Sequence, residues 1–109
     1  MDAFPADGFK ELVVSRGFKY RYYSSPAYVG KPTLLLVHGF PAFAKCWYNQ
    51  EAYFRAKGYG LILPDSLGHG GSDKPANVGA YASTALAKDL LEIMDHEAAF
   101  DVFAIGHNW

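Results

Sequence analysis

Phe100-Asp101-Val102-Phe103-Ala104-Ile105 leads into Gly106-His107-Asn108-Trp109. The first six residues form a short, mostly apolar run, which predicts a parallel-sheet strand covered on both faces. The next four match the start of a nucleophile elbow: a small residue, any residue, the nucleophile position, any residue. Asn108 occupies the nucleophile position, and the second small residue of the pattern would follow Trp109.

Working back from that strand, three more elements alternate. Thr33-Leu34-Leu35-Leu36-Val37 is a continuous apolar run, which implies a central place in a sheet. Gly60-Leu61-Ile62-Leu63 is a second buried strand. Residues 44–57 predict a helix with Trp47, Gln50, Ala52, Tyr53 and Phe54 on one side and Gly58 just past its end. Residues 80–97 predict another, with Leu86, Leu90, Ile93 and Met94 on one stripe and Lys88, Asp89, Glu92 and Asp95 opposite. His96 falls in its last turn, where a histidine suits the helix dipole.

Residues 9–23 predict a hairpin that turns at Ser15-Arg16-Gly17. In it Lys19-Tyr20-Arg21-Tyr22-Tyr23 reads as a strand with one wet face, and residues 24–32 as a loop. The order from residue 33 is strand, helix, strand, helix, strand, so the fold class is α/β with a parallel sheet after an antiparallel hairpin. If strand 60–63 lies on one side of strand 33–37 and strand 101–105 on the other, right-handed crossovers put the two helices on opposite faces. That arrangement makes a switch point at the carboxyl ends of strands 33–37 and 101–105, where ligands bind such sheets.

The 109 residues are enough for one domain, taken as residues 1–109. Half are hydrophobic and 19% charged, the composition of a folded chain rather than a disordered one. A net charge of −1 supplies no attraction to nucleic acid or anionic membrane. Cys46 is the sole cysteine, which excludes an internal disulfide and suits a reducing compartment. Residues 1–5 lack the basic start of a signal peptide, and no apolar run reaches membrane-spanning length. The expectation is a cytoplasmic protein without a membrane span.

Taken alone, His38-Gly39-Phe40-Pro41 is ordinary turn chemistry after a strand. Its functional alternative is an oxyanion loop in which the N–H groups of Phe40 and Trp109 converge on one oxygen. One such donor is typically worth about 3 kcal/mol in the transition state. The stretch from Asp65 to Pro75 is glycine-rich but fails both phosphate-binding patterns. Lys74 follows Asp73 and precedes Pro75, and Asp73 stands where a third glycine belongs. It reads instead as a tight structural loop anchored by Asp65. His38, His69, His96 and His107 show no ligand spacing, so no metal and no cofactor is expected. Trp47 is either core-facing or part of the crevice lining.

The constellation of His38-Gly39-Phe40-Pro41, then Asp65 before Gly68, Gly70 and Gly71, then Gly106-His107-Asn108-Trp109 resembles the α/β-hydrolase fold. Within it, His38-Gly39-Phe40-Pro41 with Trp47 and Tyr48, and Asp65 through Ser72-Asp73-Lys74-Pro75, are similar to the epoxide hydrolase and haloalkane dehalogenase branch. The resemblance spans about residues 18–109 and implies an amino-terminal portion of the hydrolase sheet that stops at the elbow.

It also implies a mechanism. The elbow residue, an aspartate in that family, opens an epoxide to a covalent ester, and a histidine–acid pair then activates water to hydrolyse it. Carried over, Asn108 is the substituted nucleophile, Phe40 and Trp109 give the oxyanion N–H groups, and His38, Pro41, Trp47 and His107 line the pocket. The base, its acid and the cap tyrosines lie beyond the elbow in the family, so this chain alone is expected to be inactive. The implied partner is a small epoxide or ester. A non-catalytic binding or assembly module that keeps the crevice, and an esterase- or dehalogenase-like hydrolase of secondary metabolism, stand as alternatives.

Overall fold

The computed structural model describes residues 8–38 and 44–106. Its five strands are β1 (Phe9–Val13), β2 (Lys19–Ser25), β3 (Thr33–Val37), β4 (Gly60–Pro64) and β5 (Val102–Gly106). They form one sheet in the order β1-β2-β4-β3-β5. The β1–β2 and β2–β4 pairs are antiparallel, whereas β3 runs parallel to both β4 and β5. The central position expected for strand 33–37, between the other two parallel strands, is therefore observed.

Helix α1 (Tyr48–Ala56) follows a 3-10 turn at Ala44–Trp47, and helix α2 (Ser83–His96) follows another at Val78–Tyr81. The helices cover opposite faces of the sheet. On one side Leu86, Leu90, Ile93 and Met94 of α2 pack with Tyr20, Tyr22, Leu35 and Ile62. On the other, Trp47 and Phe54 pack with Tyr23, Leu34, Leu36, Leu61 and Leu63. Helix α1 ends as its sequence predicts. Gly58, at φ +85°, donates to the Arg55 carbonyl, and Tyr59 donates to that of Phe54, closing the left-handed cap. Helix α2 ends in the same pattern, through Ala98 N–H to Asp95 and Ala99 N–H to Met94. Here the left-handed position is an alanine, at φ +55°.

Four expectations need correction, three in the helices and the hairpin and one in the last strand. Asp89, placed on the wet side of the second helix, is fully buried on its apolar face. Its carboxylate takes bonds from Tyr20 Oη (2.6 Å) and from Nε and Nη2 of Arg16, which supply the partners a buried charge requires. In α1 the buried residue is Glu51, while Gln50, Ala52 and Tyr53 are exposed. Glu51 accepts from Tyr23 Oη and Arg55 Nε, both at 2.6 Å. Finally, β2 has no wet face, because Tyr20 and Tyr22 are buried under α2 while Tyr23 is buried on the other side.

The last strand departs from its expected burial too. Val102 packs toward α2, but Phe103 and Ile105, opposite Leu34 and Leu36 in the ladder, are exposed. No further strand lies beyond β5 among the described residues.

Candidate functional site

Val37 pairs with Gly106 at the end of the β3–β5 ladder, so the chain leaves both strands side by side at the carboxyl edge of the sheet. Strand β4 ends on the other flank of β3, and Asp65 follows it directly. The switch point inferred from the order of elements thus has the expected strands around it. Phe40, Pro41, His107, Asn108 and Trp109 lie outside the described residues. His38 and Trp47 lie within them.

His38, the first residue past β3, is 5% exposed. Its Nε2 accepts the Ser66 N–H at 2.9 Å, so in the neutral ring the proton is on Nδ1. The ring meets His69 edge to face, with centroids 5.1 Å apart. His69 Nδ1 lies 3.3 Å from the Leu67 carbonyl. Trp47 closes the turn that enters α1 and packs on the Tyr23–Leu34–Leu36 side of the sheet.

Asp65 is buried and organises the glycine loop as its position predicts. Its Oδ1 accepts the Ala44 N–H at 2.7 Å and its Oδ2 the Gly71 N–H at 2.9 Å. Arg21 Nη1 stands 3.9 Å from the same Oδ2, and the guanidinium lies over the Phe9 ring. The Asp65 carbonyl accepts from Ser72 Oγ at 2.6 Å, and Ser72 Oγ in turn accepts the Arg21 N–H. Gly70, at φ +52°, faces the carboxylate so closely that a Cβ there would collide with it. Asp73 completes the attachment by accepting the Lys19 N–H at 2.7 Å. The loop is therefore laced to β2 by main-chain groups, in keeping with its failure to match a phosphate loop.

The sequence assigns Ala44, Ser66 and Ser72 no role of their own, yet they hold the motifs in place. Two of the three act through backbone N–H groups, which residue type does not reveal. An aspartate at a strand end followed by Gly-Gly-Ser is the signal that could have pointed to Ser72. Among the described residues no cluster of three or more His, Cys, Asp or Glu could hold a metal, and no helix is long and apolar enough to cross a membrane. A 410 Å³ cavity opens elsewhere, beside Lys10, Ser24, Thr33, Glu97 and Ala99. It borders Thr33, the amino end of β3, whereas open α/β sheets bind ligands at the carboxyl ends.

Known proteins are similar to this chain in sequence and in fold. Epoxide hydrolase 3 of Siraitia grosvenorii is 37% identical over 78 residues, 72% of this chain and 25% of that protein. Epoxide hydrolase A of Mycobacterium tuberculosis is 36% identical over 80 residues, 73% of this chain and 25% of that protein. A solved mutant epoxide hydrolase of Vigna radiata superposes with a TM-score of 0.83 at 26% identity, covering 93% of this chain and 30% of that one. The chain thus spans about a quarter of the length of these two relatives. The family described as alpha/beta hydrolase fold matches residues 32–109. With the hairpin, the parallel strands and the helices on both faces, the chain belongs to the α/β-hydrolase fold family and is epoxide hydrolase-like.

Proposed function

We propose that this chain supplies the nucleophile and oxyanion side of an epoxide-opening active site. The observation that supports the reading is the Val37–Gly106 pairing, which sets side by side the ends of the two strands that precede the His38 and elbow segments. The two relatives quoted above are named epoxide hydrolases, which supports the same reaction class. Residue 108 is the nucleophile position, the N–H groups of Phe40 and Trp109 are the oxyanion donors, and Pro41, Trp47 and His107 line the pocket with His38. The substrate is a small epoxide or, in the same crevice, an ester. Covalent ester formation followed by hydrolysis needs neither metal nor cofactor. The sole cysteine, Cys46, is exposed, which fits a reducing, cytoplasmic setting.

An amide oxygen carries only partial negative charge, so Asn108 cannot perform the first attack as a carboxylate does, and the chain by itself does not turn over. The same observation favours a second reading, a non-catalytic module that keeps the crevice for binding. The test places Asn108→Asp in a protein that also carries the base and its acid. A carboxylate oxygen then attacks an epoxide carbon, the carbon–oxygen bond opens, and the alkoxide takes a proton. Water next attacks the ester carbonyl and releases the diol. In heavy-oxygen water, a single turnover should label the new carboxylate and leave the diol unlabelled. Label in the first-turnover diol would remove residue 108 from the nucleophile role, and no turnover at all would favour the binding module.

A further inference from the structure

We propose that Asp65 is a positioning residue for the oxyanion segment as well as the anchor of its own loop. Residues 39–43 carry Phe40, and both ends of that span are tied to consecutive residues at the end of β4. On the amino side, His38 Nε2 accepts the Ser66 N–H at 2.9 Å. On the carboxyl side, Ala44 donates its N–H to Asp65 Oδ1 at 2.7 Å. The second carboxylate oxygen is engaged by Gly71 and approached by Arg21 of β2. One buried side chain therefore connects three separate stretches: the end of the Phe40 span, the glycine loop and the second strand.

The chemistry suits the task. A carboxylate accepts from several directions at once, and its hydrogen bonds to N–H groups are stronger than neutral ones. At 2% exposure, water does not compete for those oxygens. Gly70 fits this arrangement because any side chain there would press on the carboxylate, so the glycine loop and the Phe40 span share one support. The oxyanion role of Phe40 rests on the functional reading above, whereas the coupling of the two loops through Asp65 does not.

Residue-resolved amide exchange on the 109-residue chain tests the coupling. Asp65→Asn keeps the size but replaces one acceptor oxygen with a donor, and Gly70→Ala pushes on the carboxylate from the glycine-loop side. Each should speed exchange at Ala44 and Gly71 together, by about tenfold or more for the loss of one charge-assisted bond. Each should also move the Phe40 amide resonance, while Leu35 and Ile62 in the sheet keep their protection. Faster exchange at Gly71 with Ala44 and Phe40 unchanged would overturn the proposal, since Asp65 would then serve its own loop alone. If Asp65→Asn unfolds the sheet, Gly70→Ala decides, and global loss of protection in both variants also overturns the specific role. No turnover is read, so failure of the epoxide-opening reading leaves this result standing.

Discussion

The Tyr20 hydroxyl donates to Asp89 Oδ2 at 2.6 Å with both side chains enclosed in the core. The same relationship repeats along β2. Tyr22 donates to Glu97 at the end of α2, and Tyr23 donates to Glu51 of α1 on the other face. Each buried tyrosine of this strand thus fastens to a carboxylate of a covering helix or its cap.

Removing the acceptor should cost more than removing a donor. Asp89→Ala leaves Tyr20 and Arg16 without their carboxylate and should destabilise the chain by about 3 kcal/mol. Tyr20→Phe removes one bond to a charged group and should cost roughly 2 kcal/mol. Arg16→Met strips the counter-charge from a carboxylate that stays fully buried, so its cost should fall between those two, at about 2 to 3 kcal/mol. Urea unfolding of the three variants checks the order.

Stability should fall at both ends of the pH range, for opposite reasons. Burial works to raise the Glu97 pKa, but bonds from Tyr22, Lys10 and Ser24 outweigh it and hold the carboxyl below its usual value. Its contribution is present above the unfolded pKa, near 4.5, and is lost as pH falls through the lower folded value. Burial and then the bond to Glu51 push the Tyr23 phenol up to about 12. The folded state keeps that proton longer, so stability is full below about pH 10 and falls as pH rises toward 12. Glu97→Gln should flatten the acid limb and Tyr23→Phe the alkaline limb in melts across pH.

The two helix caps predict opposite responses to one atom. Ala98→Gly relieves a left-handed alanine and should raise stability by roughly 1 kcal/mol. Gly58→Ala should lower it by more than that, because the new methyl strains the backbone and meets the Tyr28 ring at 2.8 Å. Chemical denaturation of the two single variants measures both.

Exposed Phe103 and Ile105 on an edge strand without charge or proline should make the isolated chain bind apolar dyes and associate as concentration rises. Phe103→Lys with Ile105→Lys should suppress both effects in dye titration and light scattering. A wild-type chain that stays monomeric and unfolds cooperatively at high concentration would count against this.

Strands β3 and β4 were legible because an unbroken apolar run has few other places to go. The opposite helix faces followed from crossover handedness once strands 60–63 and 101–105 were set on either side of strand 33–37. Asp89 and Glu51 were not legible, since charge sorts a residue to the wet side unless its partner is known. Their partners, Tyr20 and Tyr23, belong to a distant strand. In the site, Asp65 was readable from the glycines that follow it. Its grip on Ala44 was not, because a backbone N–H carries no mark of residue type.

The parallel pairing of β3 with β5 also sets an order of events as the chain is made. Thr33 meets Val102 and Val37 meets Gly106, so β3 waits for all of residues 38–101 before its second neighbour exists. A nascent chain emerging amino end first can dock β4 but leaves one flank of β3 bare. Leu34, Leu35 and Leu36 lie along that flank, so the most apolar strand of the sheet keeps an unpaired edge until the last strand has emerged.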